Sequence, residues 1–203
     1  MGSSTLVAYF SQPDIALPQG DGEDQPATGL LLGQHLVGNV QYIAQAITQL
    51  TDGDLFRIKA KKLYPASYRM TCMIARGQQQ AQERPELDEI IDNFDKYDTI
   101  YLGYPIWWMD LPMPVYTFLE TYDFSGKTII PFISHGGYGA AQTVKSIEET
   151  AKGATVEKTA LVLSAGKETL DAPRMVARWL KELEQIHAAR RPYIPQDEKK
   201  QEE

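Results

Sequence analysis

Residues 97–114 read YDTIYLGYPIWWMDLPMP and join an apolar segment to an aromatic loop. Residues 99–102 are β-branched or apolar, without polar alternation. That pattern predicts a strand covered on both faces, as in the parallel sheets of α/β proteins. Gly103 and Pro105 are expected to end the strand, because both residue types interrupt regular structure. The sequence therefore predicts a buried strand followed directly by a turn.

Two adjacent tryptophans, Trp107 and Trp108, lie in this turn. Neighbouring side chains of an extended segment point to opposite sides, so the two rings are not expected to share one pocket. Pro112 and Pro114 lie where a helix through residues 115–119 would begin, a position that tolerates the missing N–H of proline. Ligands of open α/β sheets bind at the carboxyl ends of the strands, which makes this turn a candidate binding site.

Strand and helix patterns alternate along the rest of the chain, which indicates βαβ units and a parallel sheet. Further strands are predicted at residues 6–11, 54–59, 128–134 and 159–163. Further helices are predicted to open at Gly38-Asn39, to span residues 67–82, to run from Pro85 through Phe94, to include Val144 and Ile147, and to start after Asp171.

Length and pattern together predict one domain at residues 1–187, since 203 residues suffice for a sizeable core. Residues 12–37 carry turn residues and acids with little periodicity, so we expect an inserted loop between a strand and its helix. Residues 188–203 are charged and polar, and we expect them to form a disordered tail.

The composition argues against several classes of protein. The single cysteine, Cys72, leaves no internal disulfide and no multi-thiolate metal site, and we expect it to be a small buried hydrophobe. No apolar run reaches the roughly 18 residues of a membrane span. No secretory signal is visible either. We therefore expect no membrane association and a cytoplasmic location.

Charge is distributed unevenly along the chain, whose net charge is −7. Residues 1–56 contain six acids and no lysine or arginine. Nucleic-acid binding is not expected, because neutralising phosphates requires a basic surface. An acidic face would instead steer basic partner proteins towards the molecule.

Three loops are expected to meet at one edge of the sheet, because parallel strands end on the same side. The first offers a hydroxyl and a helix N-terminus, which together form an anion site without a cation. The second offers aromatic surface, and the third offers glycines that let backbone N–H groups approach a flat ring. The candidate residues are Ser11, Gly38, Asn39 and Val40 in the first loop, Pro105, Ile106, Trp107 and Trp108 in the second, and Ser134, His135, Gly136, Gly137, Tyr138 and Gly139 in the third.

One phosphate site, one aromatic slot and one amide-rich rim predict a mononucleotide-sized ligand with a large planar ring. No Walker A sequence and no G-x-G-x-x-G follow the first strand, which argues against nucleoside triphosphates and Rossmann dinucleotides. The sequence shows no nucleophile–base pair that calls for a catalytic explanation. His135 and Tyr138 are the candidate proton donors of the three loops.

The whole set resembles the flavodoxin family, in the branch with a strand-end YFS, a GYPIWW loop and a GKTxxPF strand. In this chain the three segments are residues 9–11, 103–108 and 126–132. The resemblance implies an α/β, flavodoxin-like three-layer sandwich with a five-stranded parallel sheet of order 2-1-3-4-5. It also implies FMN at the carboxyl edge of that sheet, with the phosphate at the first loop and the isoalloxazine ring between the other two.

Two positions depart from the family pattern. Val40 stands where the family usually has threonine, so a hydrogen bond to a charged group worth roughly 1.5–3 kcal/mol is lost. FMN affinity would fall by about one to two decades on that basis. Met109 stands where the family often has glycine, whose peptide can flip towards a reduced flavin, so the flip is not expected here.

Three functions fit this sequence. The first is electron transfer through non-covalent FMN, with a redox partner protein or an NAD(P)H-linked reductase docking on an acidic surface. The second is an NAD(P)H-dependent quinone or nitro reductase, favoured by the loop at residues 12–37. The third is a flavin-free protein-binding module, favoured by Val40. Reductases of the family often pair FMN sites across a homodimer, and no feature of the sequence decides the oligomeric state.

Overall fold

The protein is described by a computed structural model, in which residues 4–12, 29–32, 35–65 and 67–190 are placed. Eight strands and six α-helices follow one another through these residues. The strands are β1 Thr5–Tyr9, β2 Gly29–Leu32, β3 His35–Gly38, β4 Asp54–Arg57, β5 Thr99–Pro105, β6 Thr128–His135, β7 Thr155–Val156 and β8 Leu161–Ser164. The helices are α1 Asn39–Thr51, α2 Tyr68–Ala81, α3 Met113–Thr121, α4 Thr143–Thr150, α5 Lys167–Leu170 and α6 Ala172–Arg190.

The main sheet is parallel and has the strand order β4-β1-β5-β6, with β7 and β8 both paired to β6. β7 pairs with the start of β6 and β8 with its end, so the two short strands share the fifth position of the sheet. Counted by position, this is the predicted order 2-1-3-4-5, and the flavodoxin-like fold is confirmed. The single last strand predicted at residues 159–163 is instead β8, and β7 precedes it.

Helices cover both faces of the sheet and make the three layers. On one face, α1 and α6 bury Ile43, Ile47, Val176 and Trp179 in one apolar cluster. On the other face, α3 and α4 contribute to a second apolar cluster that includes Phe118. The sheet therefore has apolar side chains on both faces, which agrees with the uninterrupted apolar pattern of its central strands.

β5 continues through the residues that were expected to end it. Its pairing with β6 runs on to Pro105, which lies beside Ser134. Position 103 carries glycine because a Cβ there would lie 2.1 Å from the ring of Phe132 on β6. Pro105 is the last residue of the strand. The prediction of a strand end at Gly103 was therefore wrong.

The helix predicted from Pro85 through Phe94 is also wrong. Leu87 forms a bridge with Ala60, and backbone hydrogen bonds join Lys61 to Glu86 and Asp88 to Lys59. The backbone groups of this segment are thus satisfied by pairing beyond β4, and only a 3₁₀ turn at Phe94–Lys96 is helical.

Part of the segment expected to be a loop, residues 12–37, is an antiparallel hairpin of β2 and β3. Residues 13–28 of that segment lie outside the described residues. At the C-terminus, α6 runs to Arg190, and the rest of the predicted tail, residues 191–203, also lies outside them. Among the described residues, no helix is long and apolar enough to cross a bilayer.

Candidate functional site

The three candidate loops follow β1, β5 and β6, which end on the same edge of the sheet. The second and third loops touch directly, because the N–H of Ile106 donates to the carbonyl oxygen of Ser134 over 3.1 Å. Pro105 and Ser134 are buried beneath this contact. The sheet therefore brings the predicted loops together, as the parallel topology requires.

The first loop places Ser11 against the N-terminus of α1. The Ser11 side chain is buried, and its Oγ accepts from the N–H of Gln41 over 3.3 Å. This contact caps a first-turn amide of the helix from a residue distant in sequence. Position 38, just before the helix, carries glycine because a Cβ there would lie 2.1 Å from Ser11 Oγ. The end of the strand and the start of the helix approach each other closely at this point.

Asn39 and Val40 begin the helix and differ in what their side chains do. Asn39 is buried, and its Oδ1 has no hydrogen-bond partner among the described residues. A buried polar atom without a partner is costly and calls for an explanation. Val40 is also buried, and it packs in the apolar cluster with Val7 and Ile43.

Arg57, at the end of β4, corrects the prediction of an anion site without a cation. Its Nη2 donates to the backbone oxygen of Ser11 over 3.2 Å. Arg57, Ser11 and Tyr64 line a small open cleft. This contact could not be predicted, because Arg57 is 46 residues from Ser11 and the pairing of β1 with β4 brings them together.

Trp107 and Trp108 lie in different environments, as predicted, but Trp108 is not extended as that prediction assumed, since its φ is 52°. Trp107 is half-buried and meets the rings of Phe10 and Tyr64 edge-on, each with a centroid distance of 5.1 Å. Trp108 is 47% exposed and lies against α2, where its Nε1 donates to the backbone oxygen of Cys72 over 2.9 Å. Trp107 therefore packs against core side chains beneath the site, and Trp108 lies at the edge of the site.

The turn that carries Trp108 and Met109 has an unusual backbone. Trp107 and Asp110 exchange two backbone hydrogen bonds of 3.0 Å across it. The two central residues have φ values of 52° and 65°, the left-handed region that hairpin turns usually fill with asparagine and glycine. The surrounding hydrogen bonds hold this conformation, since Asp110 Oδ1 also accepts from Ser146 Oγ on α4.

The third loop is an open glycine-rich turn. Gly137 and Gly139 have φ values of 122° and 60°, and a Cβ at Gly136, Gly137 or Gly139 would meet nothing within 4 Å. The N–H of Gly137 donates to His135 Nδ1 over 3.0 Å, so a neutral His135 ring carries its proton on Nε2. Tyr138 is 68% exposed at the rim.

Sequence reasoning missed the contribution of α2 to this rim. A hydrogen bond with the Cys72 thiol and the proximity of Tyr138 raise the pKa of Tyr68. Tyr68 is the first residue of α2 and is close to Tyr138 of the third loop. Cys72 itself is half-buried rather than fully buried. Nothing in the sequence of α2 indicates which of its side chains reach the site.

The comparisons with known proteins agree with this geometry. The sequence profile described as flavodoxin matches residues 34–182. The chain belongs to the flavodoxin family. A solved structure from Bacteroides uniformis ATCC 8492, provisionally described as a flavoprotein, is 28% identical, with a TM-score of 0.65 over 87% of this chain and 99% of that one. No curated protein matches.

A second solved structure carries the family cofactor. The flavoprotein in complex with FMN from Lactobacillus acidophilus NCFM is 20% identical to this flavodoxin-family chain. The match covers 88% of this chain and 99% of that one, with a TM-score of 0.56. At this identity the likeness concerns the fold alone, so the cofactor must be tested against the residues present here.

Those residues fit FMN. The α1 N-terminus offers backbone amides and Ser11 Oγ that would suit a phosphate. The Asn39 Oδ1, which has no partner among the described residues, suits a hydroxyl donor such as those of a ribityl chain. The open Cβ positions of Gly136 and Gly137 leave room for a flat ring against the backbone. The chemistry of each loop thus matches one part of the cofactor.

Proposed function

We propose that this protein binds FMN non-covalently and transfers electrons through it. The observation that carries the proposal is the first loop, where a buried asparagine oxygen with no partner among the described residues lies beside a capped helix N-terminus. Such an atom is available to accept a hydrogen bond from a bound ligand. The family assignment supports the same cofactor.

The residues of the first loop and Arg57 have different roles in the proposed phosphate binding. Gly38 allows the backbone of α1 to approach the phosphate, and Ser11 holds the loop in place. Arg57 adds a positive charge through its contact with the Ser11 backbone oxygen. The side chain of Val40 packs in the apolar cluster, so its role is packing, while its N–H stays at the helix N-terminus. Because the Val40 side chain has this packing role, it gives little support to a flavin-free module.

Ring binding belongs to the second and third loops. Trp107 supports the slot from the core side, and Trp108 borders it from the solvent side. Bound FMN would supply the one- or two-electron chemistry, and the protein would tune it through stacking, hydrogen bonds and charge. His135 Nε2 carries a proton at the rim when the ring is neutral.

The test is a titration of the flavin-free protein with FMN and with riboflavin, followed by flavin fluorescence. FMN is expected to bind much more tightly than riboflavin, because only FMN has the phosphate. Asn39→Ala should weaken FMN binding by about tenfold, the loss of one to two hydrogen bonds. The matched control is Gln45→Ala, an exposed position on the same helix. Equal affinity for both flavins, or none for either, would contradict the proposal.

An NAD(P)H-dependent reductase is the second candidate. The observation that favours it is the pair of proton donors at the rim, His135 and the exposed Tyr138. Anaerobic mixing of the FMN-loaded protein with NADPH separates the two functions. Rapid bleaching of the flavin absorbance by NADPH supports the reductase function. A flavin that NADPH leaves oxidised, but that photoreduction bleaches, supports the carrier.

A further inference from the structure

The outer surface of α2 carries apolar and basic side chains that the fold does not bury. Among the fourteen residues of α2, Ala75 is the buried one. Arg69, Met73 and Arg76 follow a spacing of i, i+4 and i+7, so they share one side of the helix, and all three are exposed. Met73 is 61% exposed, which is unusual for a helix packed onto a domain. We call the set of Tyr68, Arg69, Met73, Arg76, Trp108 and Met109 the α2 face.

The 108–109 turn continues this surface and is fixed to it. Trp108 Nε1 donates to the backbone oxygen of Cys72, and Gln79 Nε2 donates to the backbone oxygen of Trp108 over 3.2 Å. The Arg76 guanidinium lies over the Trp108 ring at 5.1 Å from its centroid. These contacts hold the exposed aromatic and apolar groups in one geometry. A surface that is already ordered loses less conformational entropy when a partner binds.

The charge of this region is opposite to that of the whole chain. Residues 55–82 contain six lysines and arginines and no acid, although the net charge of the protein is −7. Two of the cations are paired, Lys59 with Asp88 and Lys61 with Glu86. Within the described part of the chain, Arg69 and Lys62 form no ion pair.

The acids that border the α2 face do not cancel its charge. Asp110, which closes the 108–109 turn, is half-buried, and its Oδ1 accepts from the Leu111 N–H, Tyr116 and Ser146. Glu83 is the first acid that follows α2 in the sequence. The face therefore has an apolar and aromatic centre with an excess of arginine, the residue types enriched in the centres of protein interfaces.

We propose that the α2 face docks an acidic redox partner protein, with acidic groups around an apolar centre. The proposal rests on the proposed electron-transfer function, because Trp108 belongs both to this face and to the ring site. A partner seated here would lie next to the flavin. The overall charge alone would favour a basic partner, and the local charge of the face reverses that expectation.

The binding experiment uses two haem proteins as probes, acidic cytochrome b5 and basic cytochrome c. The ¹⁵N-labelled protein is titrated with each, and amide shifts are followed by NMR at low and moderate salt. Cytochrome b5 is expected to shift amides of α2 and of the 108–109 turn, and salt should weaken the effect. Shifts caused by cytochrome c alone, shifts confined to other surfaces, or no shifts from either probe would overturn the proposal.

Charge reversal provides the matched control. The double variant Arg69→Glu and Arg76→Glu is expected to weaken cytochrome b5 binding by about tenfold at low salt. The double variant Arg178→Glu and Lys181→Glu makes the same charge change at exposed positions of α6, on the opposite layer, and should bind like the parent. Circular dichroism checks that both variants are folded. Equal weakening in both variants would show a general charge effect and overturn the proposal.

A failure of the docking proposal can be told apart from a failure of the proposed FMN function. Binding is read from amide shifts, which the flavin-free protein also gives, so the docking surface is tested even if FMN does not bind. If FMN binds and photoreduces but the α2 face shows no shift with cytochrome b5, the docking proposal alone fails. If the amides of this face shift on concentrating the protein without a probe, a second copy covers it, and the acidic partner is ruled out.

Discussion

Met109 adopts a backbone conformation that its side chain disfavours. Its φ of 65° lies in the left-handed region, which costs a non-glycine residue about 1–2 kcal/mol. Met109→Gly removes that cost at a side chain that is 51% exposed, so the free energy of unfolding should stay level or rise. Met109→Val should lower it by about 1–2 kcal/mol, because β-branched residues fit this region worst. Urea unfolding of the two variants and the parent checks the prediction.

The same pair of variants tests whether the turn is rigid. If Met109→Val unfolds at the same urea concentration as Met109→Gly, the turn has relaxed to another conformation, and the left-handed geometry is not required. A change in tryptophan fluorescence between the variants would also indicate a change in the turn, since the Trp108 indole is held against Cys72.

Gly38 is the residue at which strand end and helix start approach most closely. In Gly38→Ala, the new Cβ would lie 2.1 Å from Ser11 Oγ, so Ser11 must move and the cap on Gln41 is lost. We expect FMN affinity to fall by about tenfold or more and stability to fall by about 1–2 kcal/mol. Gly77→Ala is the control, because nothing lies within 4 Å of its added Cβ. Flavin titration and urea unfolding measure both effects.

At the residue scale, the sequence could predict what neighbours in the chain decide. Trp107 and Trp108 do not share one pocket, as predicted, but a left-handed turn at Trp108 separates them rather than an extended backbone. Arg57 beside Ser11 could not be predicted, because a strand pairing across 46 residues creates the contact. The roles of the fourteen candidate residues in binding stay predictions until a flavin is titrated.

At the element scale, buried strands were the easiest to predict and boundaries the hardest. β5 and β6 read as uninterrupted apolar runs, and both lie in the centre of the sheet. The apolar residues between Pro85 and Phe94 also suited a helix, but that backbone pairs beside β4 instead. Tertiary pairing thus overrode a local pattern that fitted two structures equally well.

The helices α1 and α2 have similar lengths and very different burial. α1 buries six residues, whereas α2 buries Ala75. Local opening is less costly where few apolar contacts break, so amides of α2 should exchange with deuterium about tenfold faster than those of α1. Gly77→Ala should slow exchange within α2 by up to about fivefold, the value of one glycine-to-alanine change in a helix. Native-state hydrogen exchange measures both.

A uniform exchange rate along α1 and α2 would contradict this prediction. It would mean that contacts from residues outside the described ranges, or from a second copy, protect the α2 face. Dilution separates the two, because protection by a second copy falls with protein concentration.

At the scale of the whole molecule, buried tyrosines link stability to alkaline pH. Burial raises the pKa of Tyr104, whose hydroxyl donates to Thr143 Oγ1 over 3.1 Å. Burial likewise raises the pKa of Tyr116 to about 12. Above the ordinary tyrosine value of 10.0, the unfolded chain loses these protons while the folded protein keeps them. The free energy of unfolding must therefore fall as pH rises above 10, by up to about 1.4 kcal/mol per pH unit for the fully buried Tyr104.

Tyr104→Phe isolates one such contribution. At neutral pH the variant should lose about 0.5–1.5 kcal/mol of stability with the Thr143 hydrogen bond. Above pH 10, its stability should fall less steeply than that of the parent, because the buried group can no longer titrate in the unfolded chain. Tyr138→Phe is the control, because it removes a hydroxyl from a side chain that is 68% exposed. Urea unfolding at a series of alkaline pH values gives the slope of the free energy of unfolding against pH for the three proteins. If the slope of Tyr104→Phe equals that of the parent, Tyr104 loses its proton as easily in the folded protein as in the unfolded one.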